Sequence, residues 1–284
     1  SPLARAMAAE HNLDLSSITG TGTGGRIIRA DILAALGEKA KVAAKKIEEL
    51  AEPATGSRKD IRESIPIRGV RKIIFENMYQ SLSQSAQLTL HTEASAEALV
   101  ALRDRLILDG RKVSFNSILV KTAAAALRLH PRINASVDKD TLQVWKQIHI
   151  GLAMEANDAL IVPVVRTPDR KTIRAIDLEI TELIRKVREN RLSPDDLLNG
   201  TFTITNLGFA DIDFFTPILR PPESAILGVG RIVKKPVVKK DALVLEQRLS
   251  LSLTFDHRII DGAPAARFLK TIKDMIEDPV LMIG

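Results

Sequence analysis

An α/β architecture preceded by a small helical unit is predicted by three features of this 284-residue sequence. From Ile65 to the end, helix-periodic segments alternate with strongly apolar strand-like runs. Two short helix-forming segments fill the first 37 residues, and a charged, Ala-rich stretch separates the two regions. The length admits one large domain with a smaller one beside it, since domains usually hold on the order of 100 to 200 residues.

Residues 2–10 place Leu3, Ala6 and Met7 on one face of a short helix, and Pro2 stands where a missing donor costs nothing. A second helix is expected over Arg29–Leu36, closed by Gly37. Two helices in 37 residues bury little surface, so residues 1–37 are read as a marginal module built to bind something. Residues 38–63, with Pro53, Gly56 and few large apolar side chains, are read as a flexible linker. Residues 64–284 form the main domain. Helices are expected at Val70–Ser83, Ala96–Asp109, Phe115–Leu129, Thr181–Asn190 and Ala263–Asp278. Strands are expected at Gln87–Glu93, Ile148–Ala153, Leu160–Val165, Gly200–Asn206, Ala225–Val229 and Leu249–Asp256.

Composition narrows the function. Apolar residues make up 45% and charged residues 27%, enough for an ordinary core. The net charge of +6 and pI near 9.5 raise the question of nucleic acid, but one Trp and one Tyr give no stacking platform, so none is expected as a partner. Acidic proteins and phosphate-bearing ligands stay open. With no cysteine there is no disulfide, thiolate metal site or cysteine nucleophile, which fits a reducing compartment. A cytoplasmic location is expected, with the mitochondrial matrix or a plastid as alternatives. Apolar runs such as Ala159–Val165 fall short of the roughly 20 residues that span a bilayer, so no membrane association is expected. The chain begins Ser1-Pro2 without Met and is read as a fragment or processed product.

The sharpest chemical signal is Asp256-His-Arg-Ile-Ile-Asp-Gly262, set between the alternating strand Leu249–Phe255 and a helix beginning near Ala263-Pro264. Histidine takes and returns a proton near neutral pH, which suits removal of a thiol proton. The plain alternative is a surface His257 and an Asp261 that only caps the next helix. Gly20-Thr-Gly-Thr-Gly-Gly25 satisfies a dinucleotide-binding pattern, but no strand precedes it. Arg26-Ile27 also stands where a phosphate loop needs Lys followed by Ser or Thr. His11, His91, His130 and His149 lack metal-ligand spacing, and no metal is expected.

Asp256–Gly262 followed by Ala-Pro-Ala-Ala-Arg-Phe-Leu269 resembles the signature of the dihydrolipoamide acyltransferases of 2-oxo acid and acetoin dehydrogenase complexes. Phe202–Gly208, Phe215–Ile218, Pro221–Gly228 and Leu160–Arg166 extend the resemblance over nearly all of residues 65–284. The first 36 residues resemble that family's peripheral subunit-binding domain. The resemblance implies a chloramphenicol-acetyltransferase-like fold and acyl transfer between dihydrolipoamide and coenzyme A. In it His257 deprotonates the thiol, Asp261 holds the turn with Arg71 as supporting partner, and Thr205 donates to the oxyanion. Arg5 and Arg26 match basic residues that grip an acidic partner, dihydrolipoamide dehydrogenase or the decarboxylase component. A homotrimer follows, alone or in a core of 24 or 60 subunits, with His257 and Thr205 from different chains. The lipoyl domain with its modified lysine is not among these residues. Ala9 departs from a second helix arginine, and Gln87–Leu90 departs from Pro-His-Val-Thr. Ala86–Thr89 is closer to the acetoin branch.

A noncatalytic scaffold and a free-standing small-molecule acetyltransferase are the alternatives. Retention of His257, Asp261 and Thr205 together speaks against the first, and the N-terminal module against the second. Acetyl is the default acyl group. The C-terminal Val280–Ile283 is read either as a contact between trimers or as packing within its own domain.

Overall fold

The computed structural model describes residues 2–11, 13–37, 60–156 and 159–282, and divides the chain into Ser1–Pro66 and Ile67–Gly284. Most of the expected linker, residues 38–59, lies outside the described residues.

In the first unit, α1 (Pro2–Glu10) and α2 (residues 29–37) flank a glycine-rich loop. The buried face of α1 differs from the expected stripe. Ala4 and Ala8, one turn apart, pack with Ile32, while Met7 is half-buried and Leu3 and Ala6 face outward. Small side chains let two short helices approach closely where there is little else to bury. Asp31 is the polar tie: its carboxylate accepts from the Thr21 hydroxyl at 2.6 Å and from the Thr21 and Ile28 amides at 3.1 and 2.9 Å. These bonds, the Thr21 hydroxyl first, hold its carboxyl below the usual range. A side chain at Gly20 would meet the backbone of Gly25–Ile27 at 2.5–2.6 Å, and Gly24 and Gly25 sit at φ of 72° and 73°. The glycines therefore shape a tight loop, and a nucleotide has no part in explaining them.

The second unit begins with α3 (Gly69–Gln84) and β1 (Gln87–Ser95), then α4 (Glu97–Arg105), the hairpin β2 (Ile107–Leu108) and β3 (Arg111–Lys112), and α5 (Phe115–Leu129). A second hairpin, β4 (Ala135–Asp138) and β5 (Thr141–Val144), leads to β6 (His149–Ala156), β7 (Ala159–Ile161) and β8 (Val164–Arg166). Then come α6 (Ile173–Arg188), β9 (Phe202–Asn206), β10 (Ala225–Lys239), β11 (Ala242–Asp256) and α7 (Gly262–Glu277). Seven strands make one mixed sheet in the order β1-β11-β10-β9-β6-β7, with β8 also beside β6. β9 runs parallel to both β6 and β10; the other pairings are antiparallel.

Local chemistry explains where the elements depart from expectation. The helix expected to Asp109 stops at Arg105, because Asp109 and Gly110 turn the chain into a hairpin at φ of 50° and 74°. The helix expected from Thr181 starts two turns earlier, where the Thr172 hydroxyl accepts from the Ala175 amide at 3.2 Å. The run Leu160–Val165 breaks at Val162-Pro163 into β7 and β8. β10 and β11 extend well beyond Val229 and Leu249 as one long hairpin, closed by Lys240 and Asp241 at φ of 48° and 62°.

One sheet face packs on α4, α5 and α7, burying Phe202, Ile204, Leu251, Leu253 and Phe255 against Leu99, Ile118, Leu127 and Phe268. The other face carries Ser250, Ser252 and Thr254, whose alternation with leucines implies a solvated face. All three are instead 1% exposed. The segment 207–222 crosses this face: Phe215 lies over Gly228, where a Cβ would come within 2.9 Å of its ring, and Phe214 meets His91 edge-on at 5.3 Å. Hydroxyls pair beneath it, Thr89 with Thr254 at 2.7 Å and His91 Nδ1 with Ser252 at 2.8 Å. By contrast α3 is bare, with Ile73, Phe75, Tyr79 and Leu82 each more than half exposed. At the C-terminus Met282 is buried, Val280 and Leu281 are exposed, and Ile283 lies outside the described residues.

Candidate active site

β11 ends at Asp256, and the chain turns through His257–Asp261 into α7. The turn is held from both sides. The Ala86 amide donates to Asp256 Oδ1 at 3.2 Å while the His257 amide donates to the Ala86 carbonyl at 2.8 Å, so the start of β1 clamps the histidine's backbone. Arg258 donates to the same carboxylate through its amide and Nε at 3.0 Å and through Nη2 at 2.6 Å. Burial opposes ionisation of Asp256, yet the Arg258 bonds and the Ala86 amide together hold its carboxyl below the usual range. Asp256 also keeps the Ile259 and Ile260 amides on its carbonyl at 3.0 Å, which closes the turn.

On this frame His257 is exposed, and its ring touches Phe255 at 5.9 Å between centroids. Asp261 occupies the N-cap position of α7 without a side-chain capping bond and is also exposed. The turn is therefore anchored by Asp256 and Arg258, a pair the sequence reading passed over; a charge pair two residues apart at a strand end was the available signal. Arg71, the expected supporting partner of Asp261, lies in the first turn of α3. The opposite end of that helix, at Gln84, leads to Ala86 and the turn.

Thr205 lies on β9, half-buried, opposite Gly228 of β10 and Ala153 of β6. Its hydroxyl has no hydrogen-bond partner among the described residues. Next to it Asn206 Oδ1 accepts from the Gly208 amide and its Nδ2 donates to Asn116 Oδ1, both at 2.9 Å. A cavity of about 470 Å³ opens at this end, lined by Ala153, Met154, Phe115, Asn206, Phe209 and Val229 among others. Its wall is mixed, with Ser114, Asn116 and Glu155 beside the apolar side chains. The sheet register separates this cavity from His257: Thr205 faces Gly228, Gly228 faces Ser252, and His257 is five residues beyond Ser252. That is about 17 Å along the strands at roughly 3.3 Å per residue. Within one chain the base and the hydroxyl do not meet. Arg5 and Arg26, in the other unit, are both exposed.

Among the described residues no group of His, Asp and Glu is arranged to hold a metal ion, and no helix is long and apolar enough to cross a membrane. Residues 59–284 match the family described as 2-oxoacid dehydrogenases acyltransferase (catalytic domain), and residues 1–33 match the E3 binding domain. The dihydrolipoyllysine-residue acetyltransferase component of the Bacillus subtilis acetoin cleaving system is 38% identical over 100% of this chain and 70% of its own length. The corresponding component of the Zymomonas mobilis pyruvate dehydrogenase complex is 32% identical over 99% of this chain and 65% of its own length. The Azotobacter vinelandii dihydrolipoamide acetyltransferase, studied for the roles of a serine, a histidine and an asparagine in its catalytic mechanism, superposes with a TM-score of 0.76 at 32% identity, covering 82% of this chain and 98% of that one. The chain thus belongs to the 2-oxoacid dehydrogenase acyltransferase family, with an acyltransferase catalytic domain behind an E3 binding domain.

Proposed function

We propose that the chain moves an acetyl group between S-acetyldihydrolipoamide and coenzyme A, in a site that takes His257 from one copy and Thr205 from another. The observation that carries the reading is spacing. Thr205, His257 and Asp261 stand 52 and 4 positions apart, the same intervals as the serine, histidine and asparagine studied in the Azotobacter enzyme. The clamped turn supports it, since a base on a fixed backbone loses little freedom when substrate arrives.

The imidazole of His257 takes the proton from the coenzyme A thiol, and the thiolate attacks the thioester carbonyl. Thr205 Oγ–H donates to the resulting oxyanion. When the tetrahedral intermediate collapses, the C–S bond to dihydrolipoamide breaks and the leaving thiolate recovers the proton from the imidazolium. A thioester is already activated, so base, oxyanion donor and placement suffice. Dihydrolipoamide is presented by a lipoyl domain. By the same spacing Asp261 stands where the Azotobacter enzyme has asparagine, exposed at the N-cap of α7 beside the turn that Asp256 and Arg258 hold. We assign residues 1–37 to partner binding, through Arg5 and Arg26, and 64–284 to catalysis and to assembly as a trimer or larger core; the location is cytoplasmic.

Acyl exchange between acetyl-, succinyl- and branched acyl-CoA and free dihydrolipoamide tests the reading. Acetyl-CoA should be turned over fastest, with His257→Ala slower by about 10²–10⁴-fold. Undiminished activity of His257→Ala would overturn the mechanism.

A further inference from the structure

At the His257 end of the sheet, a cavity of about 930 Å³ lies between the β4–β5 hairpin and the segments 198–201 and 220–223. It is not the cavity beside Thr205, and the acyl-transfer mechanism uses none of its side chains. We infer that it is a binding site for a small polyanion, a phosphate or polycarboxylate compound, held by Arg166, Arg220 and Lys146 with Trp145 as a flat wall.

Charge is the first argument. Neither Arg166 nor Lys146 makes a salt bridge among the described residues. Arg220 has only Glu223, 3.6 Å from Nη1, beyond hydrogen-bond distance. Glu223 is buried and gives its better contact elsewhere, accepting from the Thr203 hydroxyl at 2.6 Å. Burial raises its carboxyl to about 7, so it is a weak counter-charge near neutral pH. The remaining acid, Asp138, is exposed on the hairpin. Two half-buried guanidinium groups and an ammonium thus border one cavity with little to neutralise them.

Geometry is the second. Arg220 Nη2 donates to the Leu197 carbonyl at 2.7 Å, and Arg166 Nη2 donates to the Asp195 carbonyl. Carbonyls two residues apart on one turn thus brace both guanidinium groups at the same rim of the cavity, where the forked donors suit a tetrahedral or branched anion. His149 lines the same cavity, and its Nδ1 accepts from the Thr167 amide at 3.2 Å. The proton of the neutral ring is therefore on Nε2, where it meets Gln147 Oε1 at 3.3 Å, a contact an anion in the cavity would compete for. Thr167 is held at φ of 42°, although it is β-branched and precedes a proline, two reasons to avoid that conformation. Strain of this kind persists where the surroundings enforce it, commonly at ligand sites.

Trp145 is the chain's one tryptophan, so its fluorescence reports on this cavity alone. Titrating the full chain with inorganic pyrophosphate, and separately with citrate, is expected to give a saturable change with at least one of them. Saturation by pyrophosphate alone identifies a phosphate ligand, and by citrate alone a polycarboxylate. Lys146→Gln, a surface change that leaves the fold intact, and Arg166→Gln should each weaken binding about tenfold. His257→Ala should bind unchanged, which separates this site from acyl transfer. No saturable change up to about 10 mM of either anion, or equal affinity in both cavity variants, would overturn the assignment.

Discussion

Thr205 and His257 stand on one sheet yet out of each other's reach, five residues and two strands apart through Gly228 and Ser252. A site needing both is completed only between copies. His257→Ala and Thr205→Ala chains should each be nearly inactive alone, the second by about 10²–10³-fold in kcat. Unfolding them together and refolding the mixture should restore a fraction of wild-type activity, because some interfaces then pair an intact histidine with an intact threonine. A mixture no more active than its parents would place both groups elsewhere.

Arg258 fixes the turn through the Asp256 carboxylate. Arg258→Ala removes its side-chain bonds from the buried Asp256 carboxylate and frees the backbone that carries His257. Misplacement of about 1 Å can cost 10²-fold, so kcat should fall by tens-fold with KM little changed, and Arg258→Lys should rescue only part. Equal kinetics in Arg258→Ala would show that the Ala86 clamp alone suffices.

Glu223 makes stability depend on pH. Its folded value near 7 lies above the ordinary 4.5, so the native state keeps a proton that the unfolded chain releases. Stability should be full below about pH 4.5 as far as this group is concerned, decline between about 4.5 and 7, and stay level above. Glu223→Gln should flatten that interval, by at most about 3 kcal/mol. Chemical denaturation of both proteins between pH 5 and 8 is the measurement; parallel curves would exclude Glu223 as the source.

For the N-terminal unit, Arg26→Ala should weaken binding to dihydrolipoamide dehydrogenase or to the decarboxylase component, more at low salt than at high. Calorimetric titrations at two salt concentrations decide it, and identical affinity at low salt would remove Arg26 from the interface. Arg5→Ala should act in the same direction.

The fold was legible where local pattern and tertiary context agree. Phe115–Leu129 is helical as expected, because its periodic apolar face is also its buried face. Gly230 hid the continuation of β10, since one glycine looks like a strand end although the pairing resumes past a bulge. Alternation in Leu249–Phe255 revealed a strand but not the covering of its hydroxyl face, which depends on Phe214 and Phe215 some 35 residues earlier. In the site, His257 and Asp261 stood out because they fall within one contiguous seven-residue motif. Thr205 emerged only through resemblance, because an isolated strand threonine has no signal of its own. Asp256 and Arg258 hold the turn, a role that shows only once the buried carboxylate and its donors are placed together.

The bare flank of α3 makes concentration a thermodynamic variable for this protein. Ile73, Phe75, Tyr79 and Leu82 remain wetted in a solitary chain, and any neighbour that covers them adds its binding free energy to folding. The melting temperature should then rise with protein concentration, and dilution alone should weaken the fold.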